Sequence, residues 1–327
     1  MIQSATLPAM SANNSDSSLC LLSGSSNVPL SREIARYLGM DLSPMTTKTF
    51  ADGETYVQIQ ESIRGRDVYI IQPTCFPVND HLMELLVMID ACRRASARRI
   101  TAVIPYYGYA RADRKTAGRE SITAKLVANL ITKSGADRVI AMDLHSAQIQ
   151  GYFDIPLDHI YASPVIVDYI LSKNLQDIVV VSPDVGGVAR ARAFAKRLND
   201  APLAIIDKRR QAHNVAEVMN VIGDVSGKTA ILVDDMIDTG GTISAGAKIL
   251  REQGASQVYA CATHAVFSPP AIERLSSGIF EEVIVTNSLP MTADRMFPQL
   301  TPLSVANLIG EVIWRVHEYT SVSIVFR

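Results

Sequence analysis

The sequence lacks the features that mark membrane proteins and general nucleic-acid binders. No apolar run approaches the roughly 18 residues that a membrane-spanning helix needs. The formal net charge is -2 at pH 7, so there is no general excess of basic residues to hold a polyanionic surface. We therefore expect no membrane and no nucleic acid among the partners, although a local basic cluster would suffice for a small polyanion.

Cysteines and signal-like segments are also scarce. The 327 residues include four cysteines, none in a C-x-x-C pair, which argues against a zinc cluster or a thioredoxin-like site and favours buried thiols in a reducing compartment. Residues 1–17 are rich in Ser, Asn and Ala, but they lack the basic start and apolar core of a secretory signal, and they contain no Arg. We expect a disordered leader over 1–17 and a cytoplasmic location.

The residues that are present predict an α/β fold with mainly parallel sheets flanked by helices, because short β-branched runs alternate with helical patterns. Helices are predicted after the N-cap candidates Asn79 and Asp80, over about 121–134 and over about 304–319. The predicted strands cover residues 68–72, 100–104, 138–142, 178–182, 203–206, 230–233, 257–263 and 282–285.

The pattern divides near residues 160–165, and each half holds its own strands and helices. Since hydrophobic residues make up 48% of the chain, two cores of ordinary size can be filled. We expect one domain over 18–163 and a second over 164–327, with the final helix free to pack back on the N-terminal domain.

The strongest chemical signal is the segment 230–242, which reads AILVDDMIDTGGT. An apolar strand is predicted to end in the acids Asp234 and Asp235, and a Gly-Gly turn then leads into a helix. Glycines let backbone N–H groups approach a phosphate, and a helix start favours that anion. Thr239 and Thr242 add hydroxyls, while the acids suit sugar hydroxyls or a metal-bound diphosphate. A phosphorylated sugar with a vicinal diol meets both needs; the alternative is a simple strand–turn–helix corner with solvated acids.

This segment resembles the phosphoribosyl-binding loop of type I phosphoribosyltransferases. Other motifs are similar to those of one related family, the ribose-phosphate pyrophosphokinases, in its phosphate-activated bacterial-type class. They appear in the family's order and cover about residues 18–320. These motifs are FADGE at 50–54, ESIRG at 61–65, YYGYARADRK at 106–115, DLH at 143–145, SPDVGG at 182–187 and IIDKRR at 205–210.

The resemblance implies two type I phosphoribosyltransferase-like domains and an enzyme that makes 5-phosphoribosyl 1-diphosphate and AMP from ATP and ribose 5-phosphate. It also implies a homohexamer, Mg²⁺ as cofactor, and phosphate and ADP as effectors. Lys208 and Arg210 are carried over as catalytic residues, and His145 and Asp184 as metal ligands. The implied ATP site contains Phe50, Asp52, Gly53, Glu54, Arg111 and Ala112. The implied ribose 5-phosphate site contains Arg210, Asp234, Asp238, Thr239, Gly240, Gly241 and Thr242.

Several of these residues also have a purely structural interpretation. The basic stretch around Arg111 suits a solvated loop, His145 a structural histidine, Asp184 a helix N-cap, and Lys208 an ordinary surface charge. Many relatives have Gln at the position of Ala112, so nucleotide contacts there fall to the backbone or to Arg111. Two other functions stay open: a phosphoribosyltransferase that consumes the diphosphate, and a non-catalytic regulatory subunit.

A further glycine-rich run, GDVSGKT at 223–229, is one residue short of a phosphate-binding P-loop and precedes a predicted strand instead of following one. It is interpreted as a turn.

Overall fold

Helices and mainly parallel strands alternate along the chain, as the sequence predicts. The computed structural model describes residues 18–209 and 218–326, except for the side chains of residues 208, 209, 218 and 219. The described strands are β1 (Leu19–Ser23), β2 (Met45–Thr49), β3 (Thr55–Ile59), β4 (Asp67–Ile71), β5 (Arg99–Ile104), β6 (Arg138–Met142), β7 (Leu157–Ile160), β8 (Ile178–Ser182), β9 (Leu203–Arg209), β10 (Val218–Ile222), β11 (Thr229–Ile237), β12 (Gln257–Ala265), β13 (Glu282–Thr286) and β14 (Leu300–Leu303). The described α-helices are α1 (Val28–Tyr37), α2 (Val78–Arg94), α3 (Thr123–Ser134), α4 (Ser163–Ser172), α5 (Val188–Arg197), α6 (Gly241–Glu252), α7 (Ala271–Leu275) and α8 (Ala306–His317).

The chain forms two compact units. Unit 1 contains the residues up to Ile160 together with those from Ala306 onward, and unit 2 is Tyr161–Val305. Among the described residues, no helix is long and apolar enough to cross a membrane.

Unit 1 is built on a five-stranded parallel sheet in the order β1-β4-β5-β6-β7. From β4 onward the chain adds its strands in one direction. The antiparallel hairpin β2–β3 lies outside this sheet. Buried side chains of α2 and α3, including Leu85, Met88, Ile89 and Val127, belong to the same apolar core as the sheet residues.

The C-terminal helix α8 belongs to unit 1, where it packs against α1. Tyr37 Oη donates to Glu311 Oε2 at 2.9 Å. Gly310 is needed at this crossing, because a Cβ there would lie 2.5 Å from the Tyr37 ring. At the end of the helix, the buried His317 places Nδ1 3.3 Å from Asp67 Oδ2 at the start of β4. The helix is thereby held at the amino end of the sheet.

Unit 2 contains a seven-stranded sheet in the order β10-β9-β8-β11-β12-β13-β14. All neighbouring strands are parallel except β10, which runs antiparallel to β9. After β8 the chain adds β9 on one side, and it then returns to add β11 on the other side. The strand order therefore reverses between β8 and β11, which creates a topological switch point.

All eight predicted strands are confirmed, but the predicted end of the strand at residue 233 is wrong. β11 continues to Ile237 because Met236 and Ile237 pair with His264 and Ala265 of the long strand β12. Asp234 and Asp235 therefore lie within a strand instead of after it. β9 likewise continues beyond its predicted end at residue 206, to Arg209, so Lys208 lies within the strand.

The predicted helices are present, but the predicted N-caps Asn79 and Asp80 are wrong, because α2 begins at Val78 and its N-cap is Pro77. α3 ends at Gly135, whose φ of 117° is suited to glycine.

Candidate functional site

The switch point of unit 2 gathers most of the predicted sugar-phosphate residues. β8 pairs with β11 only as far as Val181 and Leu232, so β11 extends beyond the end of its neighbour. Asp184 lies in the loop after β8, and Asp234 lies on the extended part of β11. In open α/β sheets the crevice outside the carboxyl ends of the strands at a switch point is the usual ligand site.

The turn from β11 into α6 is short and rich in glycine. It consists of Asp238, which is half-buried, the exposed Thr239, and Gly240, whose φ of 69° is a left-handed conformation that costs glycine little. The Arg274 guanidinium donates to the Thr239 carbonyl oxygen at 3.0 Å and so holds the turn in place.

The start of α6 follows directly from this turn. Its first helical hydrogen bond runs from Ser244 N to the Gly240 carbonyl oxygen at 3.0 Å. The amides of the preceding residues, Gly241 and Thr242 among them, are not used by the helix ladder. Such amides and the positive end of the helix dipole form an anion-binding site. The Thr242 side chain is exposed at this end.

The two acids of β11 share one cation that the sequence interpretation missed. Nη1 of Arg190, on α5, is 3.0 Å from Oδ1 of Asp234 and 3.0 Å from Oδ1 of Asp235. The side chain of Asp234 is 23% exposed and that of Asp235 is 3% exposed. Burial and the neighbouring carboxylate raise the pKa of Asp234 above its usual range, although Arg190 acts in the opposite direction.

Asp184 stabilises the turn between β8 and α5. Its Oδ1 accepts a hydrogen bond from Gly187 N at 2.8 Å, and its carbonyl oxygen accepts one from Ser182 Oγ at 2.7 Å. The residue is exposed. The structural interpretation as a helix N-cap is therefore wrong, because Gly187 is the N-cap and the Asp184 side chain bonds no amide of the described helix. An exposed carboxylate keeps oxygen lone pairs for a cation.

In unit 1 the predicted nucleotide residues 50–54 form the tip of the β2–β3 hairpin. Phe50 N donates to the Glu54 carbonyl oxygen at 2.8 Å, and Asp52 Oδ1 accepts from Glu54 N at 3.1 Å. Gly53 has a φ of 94°. Phe50 is 52% exposed and packs edge-to-face on Tyr56, with ring centroids 5.9 Å apart. An exposed aromatic pair is a platform on which a base can stack.

The segment with Arg111 and Ala112 follows β5 and is anchored to the loop after β4. Gly108 N donates to Thr74 Oγ1 at 2.7 Å, and a Cβ on Gly108 would lie 2.4 Å from the Thr74 carbonyl oxygen. The Ala112 carbonyl oxygen accepts from Ala124 N at 3.1 Å in the first turn of α3. Arg111 is exposed on this anchored segment.

His145 follows β6, the strand next to β5, and it is exposed. The preceding Asp143 is buried and has a φ of 38°. Its backbone N donates to the Ile160 carbonyl oxygen at 2.9 Å, and Leu144 N donates to His159 Nε2 at 2.9 Å. Arg111 and His145 thus come from neighbouring strands at the same edge of the unit 1 sheet.

The predicted catalytic residues are described only in part. Lys208 lies on β9, where its backbone is opposite Met219 of β10. Arg210 lies outside the described residues.

The donors suit magnesium if phosphates provide the rest of its coordination. Within residues 18–209 and 218–326, no three His, Cys, Asp or Glu side chains form a group that would hold a metal ion on their own. Magnesium is commonly held by one or two carboxylates together with water and substrate phosphates. Asp184 fits that pattern, whereas the imidazole of His145 is a weaker match for this hard cation.

Arg190 is the main site residue that the sequence interpretation missed. It lies in the first turn of α5, three residues after Gly187. A cation opposes the helix dipole at that position, so an arginine there requires another explanation. That mismatch, and the Gly-Gly pair before it, were the available signals.

The fold and this edge of unit 2 are typical of the α/β proteins that bind phosphorylated sugars at a switch point. The N-terminal domain of ribose phosphate pyrophosphokinase matches residues 19–135, and the phosphoribosyl synthetase-associated domain matches residues 209–327. The chain belongs to the ribose-phosphate pyrophosphokinase family, which confirms the resemblance predicted from its motifs.

Individual relatives agree with this assignment. The chain is 77% identical over 330 residues to a ribose-phosphate pyrophosphokinase of Nostoc sp. and 78% identical over 331 residues to one of Synechococcus elongatus, and both alignments cover 100% of each chain. The crystal structure of phosphoribosylpyrophosphate synthetase from Mycobacterium smegmatis is 48% identical, with a TM-score of 0.88, and the match covers 92% of this chain and 99% of that one.

Proposed function

We propose that the chain is a ribose-phosphate diphosphokinase. It transfers the β,γ-pyrophosphoryl group of ATP to the anomeric hydroxyl of ribose 5-phosphate, giving 5-phosphoribosyl 1-diphosphate and AMP for nucleotide biosynthesis. The observation that carries this proposal is the edge of unit 2, where Asp234 lies seven residues before Gly241 at the start of an anion-binding helix. Ribose 5-phosphate requires a carboxylate that accepts hydrogen bonds from its hydroxyls and backbone amides that donate to its phosphate.

The sugar binds to unit 2 in this proposal. Its 5-phosphate lies on the turn of Thr239, Gly240 and Gly241 and on the Thr242 hydroxyl. Asp234 accepts hydrogen bonds from the ribose hydroxyls, because its carboxyl oxygens have acceptor lone pairs in either protonation state. Asp238 and Arg210 complete the set assigned to this substrate.

ATP binds to residues of unit 1. The exposed Phe50 provides a stacking surface for adenine, while Asp52, Gly53 and Glu54 shape the hairpin tip around it. Arg111 pairs with phosphate oxygens, for which a guanidinium fork is well suited. Ala112 contributes its backbone, since its methyl group has no hydrogen-bonding atom.

Phosphoryl transfer of this kind depends mainly on alignment and on offsetting charge. The anomeric oxygen bonds to the β-phosphorus, the bond from that phosphorus to the α,β-bridging oxygen breaks, and AMP leaves. Lys208 and Arg210 offset the charge that develops on the phosphoryl oxygens. Asp184 in unit 2 and His145 in unit 1 are each proposed as a ligand of Mg²⁺, which would neutralise phosphate charge and orient the triphosphate when bound.

The remaining properties follow from the family resemblance. We propose a homohexamer in the cytoplasm, activated by phosphate and inhibited by ADP. Light scattering at micromolar concentration that returned the monomer mass of 35.6 kDa would contradict the assembly.

Product analysis tests the function. The protein is incubated with ATP, Mg²⁺ and ribose 5-phosphate, and nucleotides are separated by chromatography. AMP that appears only when the sugar is present, in equal amount to 5-phosphoribosyl 1-diphosphate, is the expected result. ADP as the product, or no turnover, contradicts the proposal. A parallel reaction with purine or pyrimidine bases and the diphosphate tests the alternative transferase activity.

A further inference from the structure

The side chains of Arg190, Asp234 and Asp235 form a connected group in which Arg190 is 28% exposed, Asp234 23% and Asp235 3%. Arg190 Nη1 contacts Oδ1 of both acids at 3.0 Å, and Asp235 N donates to Asp234 Oδ1 at 2.9 Å. Asp235 is 3% exposed, so it is too enclosed to meet a substrate, while the more exposed Asp234 can do so. The buried acid therefore anchors the arginine, and the arginine contacts the more exposed acid.

The strand alone does not bring these carboxylates together. Consecutive residues of a β-strand direct their side chains to opposite faces. One nitrogen nevertheless lies within 3.0 Å of an oxygen from each of two consecutive residues. The Arg190 guanidinium, together with the Asp235 amide, thus holds the Asp234 carboxylate in place.

The position of Arg190 is unfavourable for the helix that carries it. Arg190 is in the first turn of α5, where the helix dipole disfavours a cation. Gly187, just before this helix, allows a close approach here, because a Cβ on it would lie 2.9 Å from Ser182 Oγ and 3.9 Å from Arg190 Nη1. The contact with two carboxylates offsets the unfavourable dipole term.

We propose that Arg190, anchored on Asp235, is a positioning residue that orients the Asp234 carboxylate to accept the ribose hydroxyls of the sugar phosphate. This inference rests on the proposed function and assigns to that site a residue that acts through Asp234 without itself touching the sugar. Its removal therefore affects the sugar and spares ATP.

A double-mutant cycle on ribose 5-phosphate tests this role. Arg190→Gln is expected to raise the KM for ribose 5-phosphate by about tenfold or more, since a hydrogen bond to a charged group is lost or misaligned. The KM for ATP is expected to change less than twofold. Because Arg190 acts through Asp234, the double variant Arg190→Gln/Asp234→Asn should be no worse than Asp234→Asn alone. The proposal is overturned if the increases in the sugar KM of the two single variants multiply in the double variant, or if Arg190→Gln leaves the sugar KM unchanged.

Arg192→Gln is the matched control, because Arg192 is an exposed arginine on the same helix. It should leave both KM values unchanged. Arg190→Lys retains the charge and should recover part of the sugar affinity; if Arg190→Gln does not fold, Arg190→Lys replaces it in the cycle with the same criterion.

The design separates this inference from the proposed function. If wild-type protein and Arg192→Gln form no AMP, the function is wrong. Equilibrium titration of the same variants with ribose 5-phosphate then still decides the role of Arg190: a Kd unchanged by Arg190→Gln overturns it, and a weakened Kd that does not multiply with Asp234→Asn supports it.

Discussion

Each unit contains a strand–turn–helix corner of similar composition, but the two corners differ in structure. In unit 1, β1 leads into α1 through residues 23–27, SGSSN, whose composition suits a phosphate loop. However, Ser25 N donates to Glu84 Oε1 at 2.9 Å, and Ser26 N donates to Gln72 Oε1 at 3.2 Å. The protein's own acceptors occupy this corner. In unit 2 the turn consists of Asp238, Thr239 and Gly240 and leads into α6 at Gly241.

The sheets differ in a related way. In unit 2 the strand order reverses between β8 and β11, so the loops that follow these two strands diverge and leave a crevice between them. In unit 1 the strand order proceeds in one direction from β4. Composition alone thus does not distinguish the two corners. The corner that we propose as the phosphate site lies at a switch point, and the corner of unit 1 does not.

The largest effect is expected at Lys208 in unit 2. If its ammonium meets phosphoryl oxygens mainly as charge develops, Lys208→Ala should lower turnover about 100- to 1,000-fold, or about 2.7–4 kcal/mol, with smaller changes in either KM. Lys208→Arg should recover only part. Steady-state kinetics measure this, with Lys196→Ala as the control, since Lys196 is exposed on α5. Near-normal turnover would remove Lys208 from the mechanism.

A threonine in each unit sharpens the comparison. Thr242→Val at the start of α6 should weaken ribose 5-phosphate binding by about 1.5–3 kcal/mol, because a hydrogen bond to phosphate is lost. ATP binding should be largely intact. Thr132→Val in α3 removes a hydroxyl that donates to the Ala128 carbonyl oxygen at 2.8 Å, and it should leave both affinities unchanged. Calorimetric titration with each ligand decides; an unchanged sugar affinity in Thr242→Val means that the phosphate lies elsewhere.

A substitution in the β1–α1 corner of unit 1, where side chains of the protein bond the backbone amides, should lower stability and leave substrate binding unchanged. In Glu84→Gln an amide group replaces one carboxylate oxygen and faces the Gln72 amide or the Ser25 donors, so one buried polar group loses its partner. Urea unfolding should show a loss of about 1–3 kcal/mol, with unchanged KM for the sugar. Glu252→Gln, exposed on α6, should change stability by less than about 0.5 kcal/mol. A binding defect without destabilisation would show that this corner holds a ligand.

The smallest effect concerns Asp67 at the amino end of the unit 1 sheet. Burial alone would raise its pKa, but hydrogen bonds from Arg98 and Arg99 hold the pKa well below its usual range. As the pH falls, Asp67 is therefore protonated in the unfolded state before it is protonated in the folded state. Its contribution to the free energy of unfolding is present above the usual pKa range of a carboxyl group and is lost as the pH falls below that range. Urea stability should decline more steeply from about pH 5 downward in wild type than in Asp67→Asn. Asp90→Asn removes an exposed ion pair with Arg94 on α2, and it should leave the decline of stability with pH as steep as in wild type.

Much of the fold could be predicted because buried parallel strands are continuous apolar runs. The hairpin strands MTTKT and TYVQI and the strand LDHI carry polar residues and were missed for that reason. β1, β10 and β14 were also missed, and this reason does not apply to β1, whose sequence LCLLS is a buried apolar run. The end of β11 was wrong because two acids interrupt an apolar pattern, while pairing with β12 continues. The Arg190 contact joins residues 44 positions apart, and its existence depends on how α5 packs on the sheet. The local sequence marks Arg190 as unusual for the first turn of a helix, but it does not identify Asp234 and Asp235 as its partners.

The fate of the β-phosphorus tests the central claim most directly. ATP labelled at the β-phosphate is incubated with ribose 5-phosphate, Mg²⁺ and the wild-type protein, and the products are separated. Transfer of the β,γ group as a unit predicts that all converted label appears in 5-phosphoribosyl 1-diphosphate and none in the nucleotide product. Label retained in ADP would mean that only the γ-phosphate moves, and it would contradict the account.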